Sequence, residues 1–428
     1  MSRDLFALID GNSFYASCEK VFRPDLTHAP VIVLSNNDGC VVTRSREAKR
    51  LGIRRGTPYF KIKEMAQNEG VAVFSSNYEL YQSLSSRMMG AIATLCPRIE
   101  PYSIDECFAD LTSLDDEASN IGRMIRSRVR QWVGITVCVG IGPTKTLAKL
   151  ANHLAKDYPA LCGVLNWNEL APGRQQKALS ITPVGDIWGI GGRIGARLRA
   201  EGVCTALDFA RLESRWVRSR FGVTLERTLR EINGVSCMPL EAEKPLPATI
   251  CRSRSFAAET DDVNALLTAV SVHAAEAAKK LRQGRQCAGR ITVFLLTNRF
   301  KPEQPQWTLT DTIPLEEPTA DSLELTRAAC DIVRGVHRPG IFIKKAGVIL
   351  EGIVPEGEGI VRDLFSADRD WKRARRSRLM ATLDRLEERF GAGVVATAGS
   401  RLSEGWRMRR DLLSPCYTTR IEDVAVVH

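Results

Sequence analysis

The stretch Leu5-Phe6-Ala7-Leu8-Ile9-Asp10-Gly11-Asn12-Ser13-Phe14-Tyr15 places an acid where a short apolar run gives way to the start of a helix. Residues 5–9 form too short a run for a helix and read as a buried strand. Asn12 or Ser13 can cap a helix reaching about Phe22, before Arg23-Pro24-Asp25 breaks it. A second acidic feature, Tyr102-Ser103-Ile104-Asp105-Glu106-Cys107-Phe108, lies at the junction of two further strands. Taken singly, Asp10 reads equally as a turn or capping residue, and adjacent acids at a hairpin tip read as solvated. Strict pleating would send Asp105 and Glu106 to opposite faces, so both reach one site only where a turn or bulge intervenes. Three carboxylates at strand ends of one sheet would make a site for two divalent ions, because hard cations take oxygen ligands. Such a pair of ions serves in-line phosphoryl displacement.

Around these features, strands and helices succeed one another. A Val31-Ile32-Val33-Leu34 strand, the turn Asn36-Asn37-Asp38-Gly39, a second strand and a basic helix near 46–51 come first. Helices are expected over about 78–95, 119–133 and 144–156, with a strand at 135–141. A hairpin in the middle of the succession argues for an α+β sheet domain over a Rossmann order. The pattern from 167 to 237 is helical, Lys244-Pro245-Leu246-Pro247 reads as a linker, and a strand- and helix-rich unit reaches about Ile353. Glu356–Gly359 is a second break, and a basic helix is expected over 371–390.

The chain has 428 residues, with 60 Lys+Arg against 50 Asp+Glu, a net charge of +10. A hydrophobic fraction of 44% with 26% charged residues excludes intrinsic disorder and collagen-like architectures. The basic excess favours a polyanionic partner or, spread evenly, only aids solubility. The 12 cysteines form no zinc-type array and sit partly inside apolar runs, such as Cys138, which fits a reducing compartment. The N-terminal apolar run is too short for a signal peptide and no stretch is long enough to span a membrane. The expected location is therefore cytoplasmic.

Lys145, Lys149 and Lys156 follow Pro143-Thr144, with Lys149 and Lys156 on one helical face. Arg44, Arg46, Lys49 and Arg50 offer a second basic wall. These are either solvated faces or the two sides of a triphosphate clamp. Phe14 and Tyr15 are either core aromatics or a ring packed against a sugar that excludes a 2′-hydroxyl. Gly189-Ile190-Gly191-Gly192-Arg193-Ile194-Gly195-Ala196-Arg197-Leu198, ending at Gly202-Val203, reads as two short helices around a glycine turn. Backbone N–H groups there, assisted by Arg193 and Arg197, suit a DNA phosphate. A glycine-rich turn that only packs is the other reading.

Taken together, these residues resemble the Y-family of translesion DNA polymerases, and within it the UmuC type. The resemblance rests on Leu8-Ile9-Asp10-Gly11-Asn12-Ser13-Phe14-Tyr15-Ala16-Ser17-Cys18-Glu19, Leu34-Ser35-Asn36-Asn37-Asp38-Gly39-Cys40 and Ser75-Ser76-Asn77-Tyr78-Glu79-Leu80-Tyr81. It continues through Tyr102-Ser103-Ile104-Asp105-Glu106 and Lys145-Thr146-Leu147-Ala148-Lys149-Leu150-Ala151-Asn152-His153. It ends with Asp186-Ile187-Trp188-Gly189-Ile190-Gly191 and Leu413-Ser414-Pro415-Cys416-Tyr417-Thr418-Thr419-Arg420. What it implies is an α+β multidomain right hand: palm over 1–24 and 74–168, fingers over 25–73, a helix-hairpin-helix thumb over 169–240, a little finger over 245–354 and a C-terminal tail over 360–428.

The resemblance further implies error-prone translesion synthesis in the SOS response. Asp10, Asp105 and Glu106, with the Gly11 carbonyl, would hold two Mg²⁺ ions, for which Mn²⁺ can substitute. Phe14 and Tyr15 would contact the deoxynucleoside triphosphate, Tyr15 as the steric gate, and Thr43, Lys49 and Lys156 would contact its phosphates. Other branches carry Arg at Lys49, where Lys offers a point charge and no fork. Gly189, Gly191, Arg193 and Arg197, with Arg252 and Arg254 opening the little finger, would face primer-template DNA; Lys344 and Lys345 lie near the end of that unit. Val361-Arg362-Asp363-Leu364-Phe365 keeps the Leu364-Phe365 anchor of a sliding-clamp peptide without its leading Gln. A cleaved UmuD-like dimer and the RecA filament are the other implied partners. A nucleotidyl cyclase would not need the glycine-hairpin DNA clamp, and a non-catalytic DNA-binding relative would not need all three acids.

Overall fold

Phe6–Gly11 (β1) is buried at all six positions, because it is the middle strand of a sheet covered on both faces. The computed structural model describes residues 4–241, 246–358, 366–391, 393–395 and 409–424. It divides into two units, one of residues 1–244 with 411–428 and one of 245–410.

In the first unit, α1 (Phe14–Val21) follows β1, then β2 (Val31–Leu34), β3 (Val41–Arg44), α2 (Arg46–Arg50), α3 (Lys63–Asn68), β4 (Ala72–Ser75) and α4 (Tyr78–Ala93). The hairpin β5 (Ile99–Pro101) and β6 (Glu106–Asp110) leads into α5 (Ala118–Val133), β7 (Val137–Gly142), α6 (Lys145–Asp157) and β8 (Val164–Asn166). Strand order in the central sheet is β5-β6-β1-β7-β8, with β1 antiparallel to both neighbours and β7 parallel to β8. The architecture is thus α+β. Leu5, just before β1, and the odd-numbered β1 residues Ala7 and Ile9 join the core formed with α4 and α5, including Leu84, Met88, Ile125 and Val129. Even-numbered ones, Phe6 and Leu8, join Phe108 and Ala148 of α6. A separate sheet, β3-β2-β4, has its own small core of Ile32, Leu34, Val41, Ala48 and Ile53.

The expected cap on α1 is not formed. Ser13 sits in the left-handed region at φ 48° and makes no side-chain cap bond. The tight exit from β1 is instead tied by the Asn12 N–H to Thr136 and by the Ser17 hydroxyl donating to the Asn12 carbonyl. Thr144 does cap α6, accepting from the Leu147 N–H.

Helices α7 (Pro172–Ile181), α8 (Gly192–Ala200), α9 (Ala206–Ala210), α10 (Ser214–Phe221) and α11 (Val223–Ile232) pack around Leu198, Val203, Phe209, Val217 and Leu229. Leu198 and Val203 are buried as the hairpin pattern required, and the turn uses Gly189 at φ 89°. Only the second arm of that motif is a full helix. The first is a single 3₁₀ turn, Val184–Asp186, after which Ile187 is extended.

The second unit is a four-stranded antiparallel sheet, order β11-β10-β12-β9, built from β9 (Thr249–Thr260), β10 (Gln286–Leu296), β11 (Thr308–Thr319) and β12 (Ile343–Pro355). Helices α12 (Val263–Gln283) and α13 (Ser322–Val336) cover one face of it. α14 (Ser366–Phe390) is fastened to α12 by Lys279–Glu387 at 2.6 Å and Arg282–Asp384 at 2.7 Å. Among the described residues, no helix is long and apolar enough to cross a membrane.

Candidate active site

Asp10 and Glu106 are register partners across β1 and β6, as are Leu8 and Phe108. Register partners point to one face, so both carboxylates stand on the α6 side of the sheet. Asp105 precedes β6 and lies in the turn that the pleat demanded: the Ser103 hydroxyl oxygen accepts from the Asp105 and Glu106 N–H groups and donates to the Asp105 carboxylate at 2.7 Å. The Gly11 N–H donates to the Asp105 carbonyl at 2.8 Å, which ties the two acidic segments together.

What faces them is set by how closely α6 approaches. A Cβ on Gly140 would lie 2.0 Å from the Asn152 backbone nitrogen and 2.2 Å from the Ala148 carbonyl oxygen. The Asn152 side chain, buried, donates to the Leu8 carbonyl at 3.1 Å and the Cys138 carbonyl at 2.7 Å. With the helix clamped in this way, Lys156 forms an ion pair with Asp10 and Lys149 reaches Glu106 at 3.0 Å. Lys149 also lies over the rings of Tyr102 and Trp188, at 4.6 and 5.4 Å. Lys145, by contrast, is buried and committed to Glu100 at 2.5 Å, so it belongs to the packing.

Burial pushes the Asp10 carboxyl up to about 7; Lys156 opposes this, and the charges of Glu106 and Asp105 add to it. A buried acid raised by two neighbouring acids is a place short of positive charge. The donors fit a hard divalent cation: carboxylate oxygens on adjoining strand ends, with two ammonium groups occupying part of the charge-compensating role. Among the described residues, no three His, Cys, Asp or Glu side chains close into a ready-made metal group, since Asp105 is turned to Ser103 and the other two to lysines.

The second basic wall comes from the smaller sheet. Thr43 and Arg44 lie on β3 opposite Val33 and Ile32, and Lys49 lies on α2. Burial first, then the charges of Arg44, Lys156 and Arg46, hold the Lys49 ammonium below its ordinary range. Lys49 and Lys156 therefore feel each other across the site, as cations converging on a polyanion do.

On the third side, Phe14 is buried and Tyr15 half-buried. The Tyr15 ring stacks on Tyr81 at 4.4 Å and 14°, and meets Tyr78 edge-on at 6.2 Å. Asp105 acts on it too, adding to the burial that raises its phenol. The Tyr81 hydroxyl donates to Glu19 at 2.5 Å; Glu19 is almost wholly buried, and burial pushes its carboxyl up to about 7. Asn152, Glu19 and Tyr81 carry no role in the sequence reading. A polar residue on the apolar face of α6, and an acid in the small-residue run Ala16-Ser17-Cys18-Glu19, were the available signals.

The candidate DNA contacts are placed less uniformly. Gly191 caps α8 with its backbone and Arg193 is exposed. Arg197 instead donates to the Arg220 carbonyl at 3.0 Å and lies 4.5 Å over the Phe221 ring. In the second unit Arg252 and Arg254 are register partners of the buried Val348 and Ala346, which puts them on the helix-covered side of edge strand β9. There, with burial the larger cause, they hold the His273 imidazole down to about 4. The opposite face of that sheet carries Lys345, paired with Leu296, and Arg290, paired with Glu351; Lys344 donates to the Phe256 carbonyl. Leu364 and Phe365 lie outside the described residues.

Residues 9–153 match the impB/mucB/samB family, residues 247–362 the C-terminal domain of that family, and residues 377–427 a domain of unknown function, DUF4113. Protein ImpB of Salmonella typhimurium is 44% identical over 422 residues, covering 98% of this chain and 99% of that one. Protein UmuC of Salmonella typhimurium strain LT2 is 44% identical over 423 residues, with 98% and 99% covered. Among solved structures, a Y-family DNA polymerase chimera of Dbh and Dpo4 superposes with a TM-score of 0.67 at 23% identity, over 82% of this chain and 99% of that one. The chain shares that polymerase's fold.

Proposed function

The chain belongs to the impB/mucB/samB family, and on that premise we propose that it is a DNA-directed DNA polymerase of the UmuC type, performing error-prone translesion synthesis in the SOS response. The observation that carries the reading is the register pair Asp10–Glu106, with Asp105 in the adjoining turn and Lys156 ion-paired to Asp10.

On this reading the central sheet with α4, α5 and α6 is the palm, the β3-β2-β4 sheet the fingers, α7 to α11 the thumb and the second unit the little finger. Asp10, Asp105 and Glu106, with the Gly11 carbonyl, would hold Mg²⁺, or Mn²⁺ in its place. Two such ions supply activation of the primer 3′-hydroxyl and neutralisation of charge developing on the phosphates. Lys49, Lys156 and Thr43 bind and orient the triphosphate, so that the α-phosphate meets the hydroxyl in line and pyrophosphate leaves on the basic side. Lys149 holds Glu106 from behind. Phe14 and Tyr15 pack against the sugar, where the Tyr15 ring leaves no space for a 2′-hydroxyl.

Gly189, Gly191 and Arg193 grip the DNA backbone without reading sequence. A cleaved UmuD-like dimer, the RecA filament and a sliding clamp engaging Leu364 and Phe365 complete the proposed assembly, in the cytoplasm and on the nucleoid. Primer extension opposite an abasic site tests the reading: Asp105→Ala is expected to abolish extension in Mg²⁺ while DNA affinity is kept. Undiminished extension by that variant would overturn the metal assignment.

A further inference from the structure

The chain enters the second unit at Pro245 and returns to the first at Asp411, and the returning segment lands against Asn77 and Glu19. The Ser75 N–H donates to the Leu412 carbonyl at 2.9 Å, and the Leu412 N–H to the Ser75 hydroxyl at 3.0 Å, so the segment lies along the end of β4. The Asp411 N–H donates to Asp38 at 3.1 Å.

Asn77, which caps α4 by accepting from the Leu80 N–H, uses its amide nitrogen to donate to the Ser414 carbonyl and hydroxyl at 3.0 Å each, and to the Pro415 carbonyl at 3.3 Å. The Ser414 hydroxyl donates in turn to Glu19 Oε1 at 3.1 Å, the same oxygen that receives the Tyr81 hydroxyl. Ser414 and Cys416 are buried, and Tyr417 stacks on Phe22 at 4.7 Å and 10°.

We propose that the segment 411–417 is a positioning element of the sugar pocket: Ser414 and Asn77 fix Glu19 and the first turn of α4, Glu19 fixes the Tyr81 hydroxyl, and the Tyr81 ring fixes Tyr15. The inference rests on the reading of Tyr15 as the sugar gate. Its physical basis is that a gate acts by steric exclusion, so it discriminates only while its ring is held to within a fraction of an ångström. Tyr15 is held by rings, and the ring stacked flat on it is anchored at its far end by a hydrogen-bonded pair that the C-terminal segment completes. A side chain nearly four hundred positions away thereby acts on which sugar is accepted.

The test measures kcat/KM for a deoxynucleotide against the matching ribonucleotide, in the full-length chain. Tyr15→Ala reports on the gate itself and is expected to collapse the selectivity. Ser414→Ala and Tyr81→Phe are each expected to lower it about five- to tenfold, the worth of one buried hydrogen bond. The double variant should fall no further than either single one, because both cut the same chain of contacts. Glu19→Gln, which keeps the accepting oxygen, should retain selectivity, whereas Glu19→Ala should lose it.

Tyr81→Phe keeps the ring packed and carries the test should Ser414→Ala fail to fold. If Tyr15→Ala relaxes the selectivity and neither Ser414→Ala nor Tyr81→Phe does, the inference is overturned and the gate reading stands. If Tyr15→Ala itself leaves the selectivity intact, the gate reading falls and the inference falls with it.

Discussion

Glu19 gives a quantitative handle on the buried network. Burial raises its carboxyl from an ordinary 4.5 to about 7, against the hydrogen bonds from Tyr81 and Ser414 that pull it down. The group therefore holds its proton more tightly folded than unfolded. Its contribution to stability is fully present below pH 4.5 and is lost as the pH rises towards 7. That interval, at about 1.4 kcal/mol per pH unit, amounts to about 3 kcal/mol. Glu19→Gln is neutral throughout. Its amide nitrogen takes the place of Oε2, which has no hydrogen-bond partner among the described residues, and that cost does not vary with pH. Among the described residues, Glu19 acts on the titratable groups of Tyr81, Tyr417 and Cys18, and burial pushes each of them upward, away from the interval. Asp10, also near 7, titrates identically in both proteins and cancels in the difference. Urea unfolding in chelator between pH 4 and 8.5 should give a wild-type-minus-variant difference that falls by about 3 kcal/mol between pH 4.5 and 7 and is flat on either side. Parallel curves for the two proteins would refute the buried, proton-holding role of Glu19.

Asn152→Ala removes two buried hydrogen bonds, to the Leu8 and Cys138 carbonyls. It is expected to cost about 2 to 3 kcal/mol in urea unfolding and to lower kcat/KM for nucleotide incorporation, as α6 and its lysines drift from the carboxylates. In the second unit, Asp384→Ala removes the two-pronged contact with Arg282. Hydrogen exchange of the 366–390 amides should quicken roughly tenfold while the β10 and β12 amides stay protected, because the lost pair holds a helix to the unit's outside.

The sheet was legible because β1 announces itself: the short apolar run 5–9 meeting an acid at Asp10 is hard to place anywhere but mid-sheet. The pairing of Asp10 with Glu106 was not, since register depends on partners a hundred residues away. The pleat objection to Asp105 and Glu106 was sound, and the turn built on Ser103 removes it. Local pattern failed where distance governs. Gly140 reads as one more glycine until a helix backbone lies against it. Which face Arg252, exposed, and Arg254, half-buried, occupy is given only by their partners Val348 and Ala346, on the helix-covered side. Arg197, in a motif that suggested phosphate contact, is held by the Arg220 carbonyl and the Phe221 ring. The Glu19–Ser414 bond spans 395 positions, which no periodicity encodes.

The charges of the site argue for its occupant more sharply than the net +10 does. Asp10 is held near 7 because burial and two neighbouring acids outweigh the one lysine beside it. Lys49 is held low because burial and three neighbouring cations outweigh Asp157. Each is a half-site with an excess of one sign, and Lys156 acts on both: it pairs with Asp10, and its charge helps to hold Lys49 low. A ligand that relieved only the acids, such as a lone cation, would leave the basic wall strained, and a lone anion would do the reverse. On the proposed reading, a triphosphate carrying its divalent ions would supply both signs at once and would release Lys156 from Asp10 to meet phosphate. On the proposed reading, metal and nucleotide therefore bind with positive coupling through this one lysine. Lys156→Met should weaken nucleotide binding while reducing the advantage that Mg²⁺ confers on it, a pattern that loss of a simple phosphate contact would not produce.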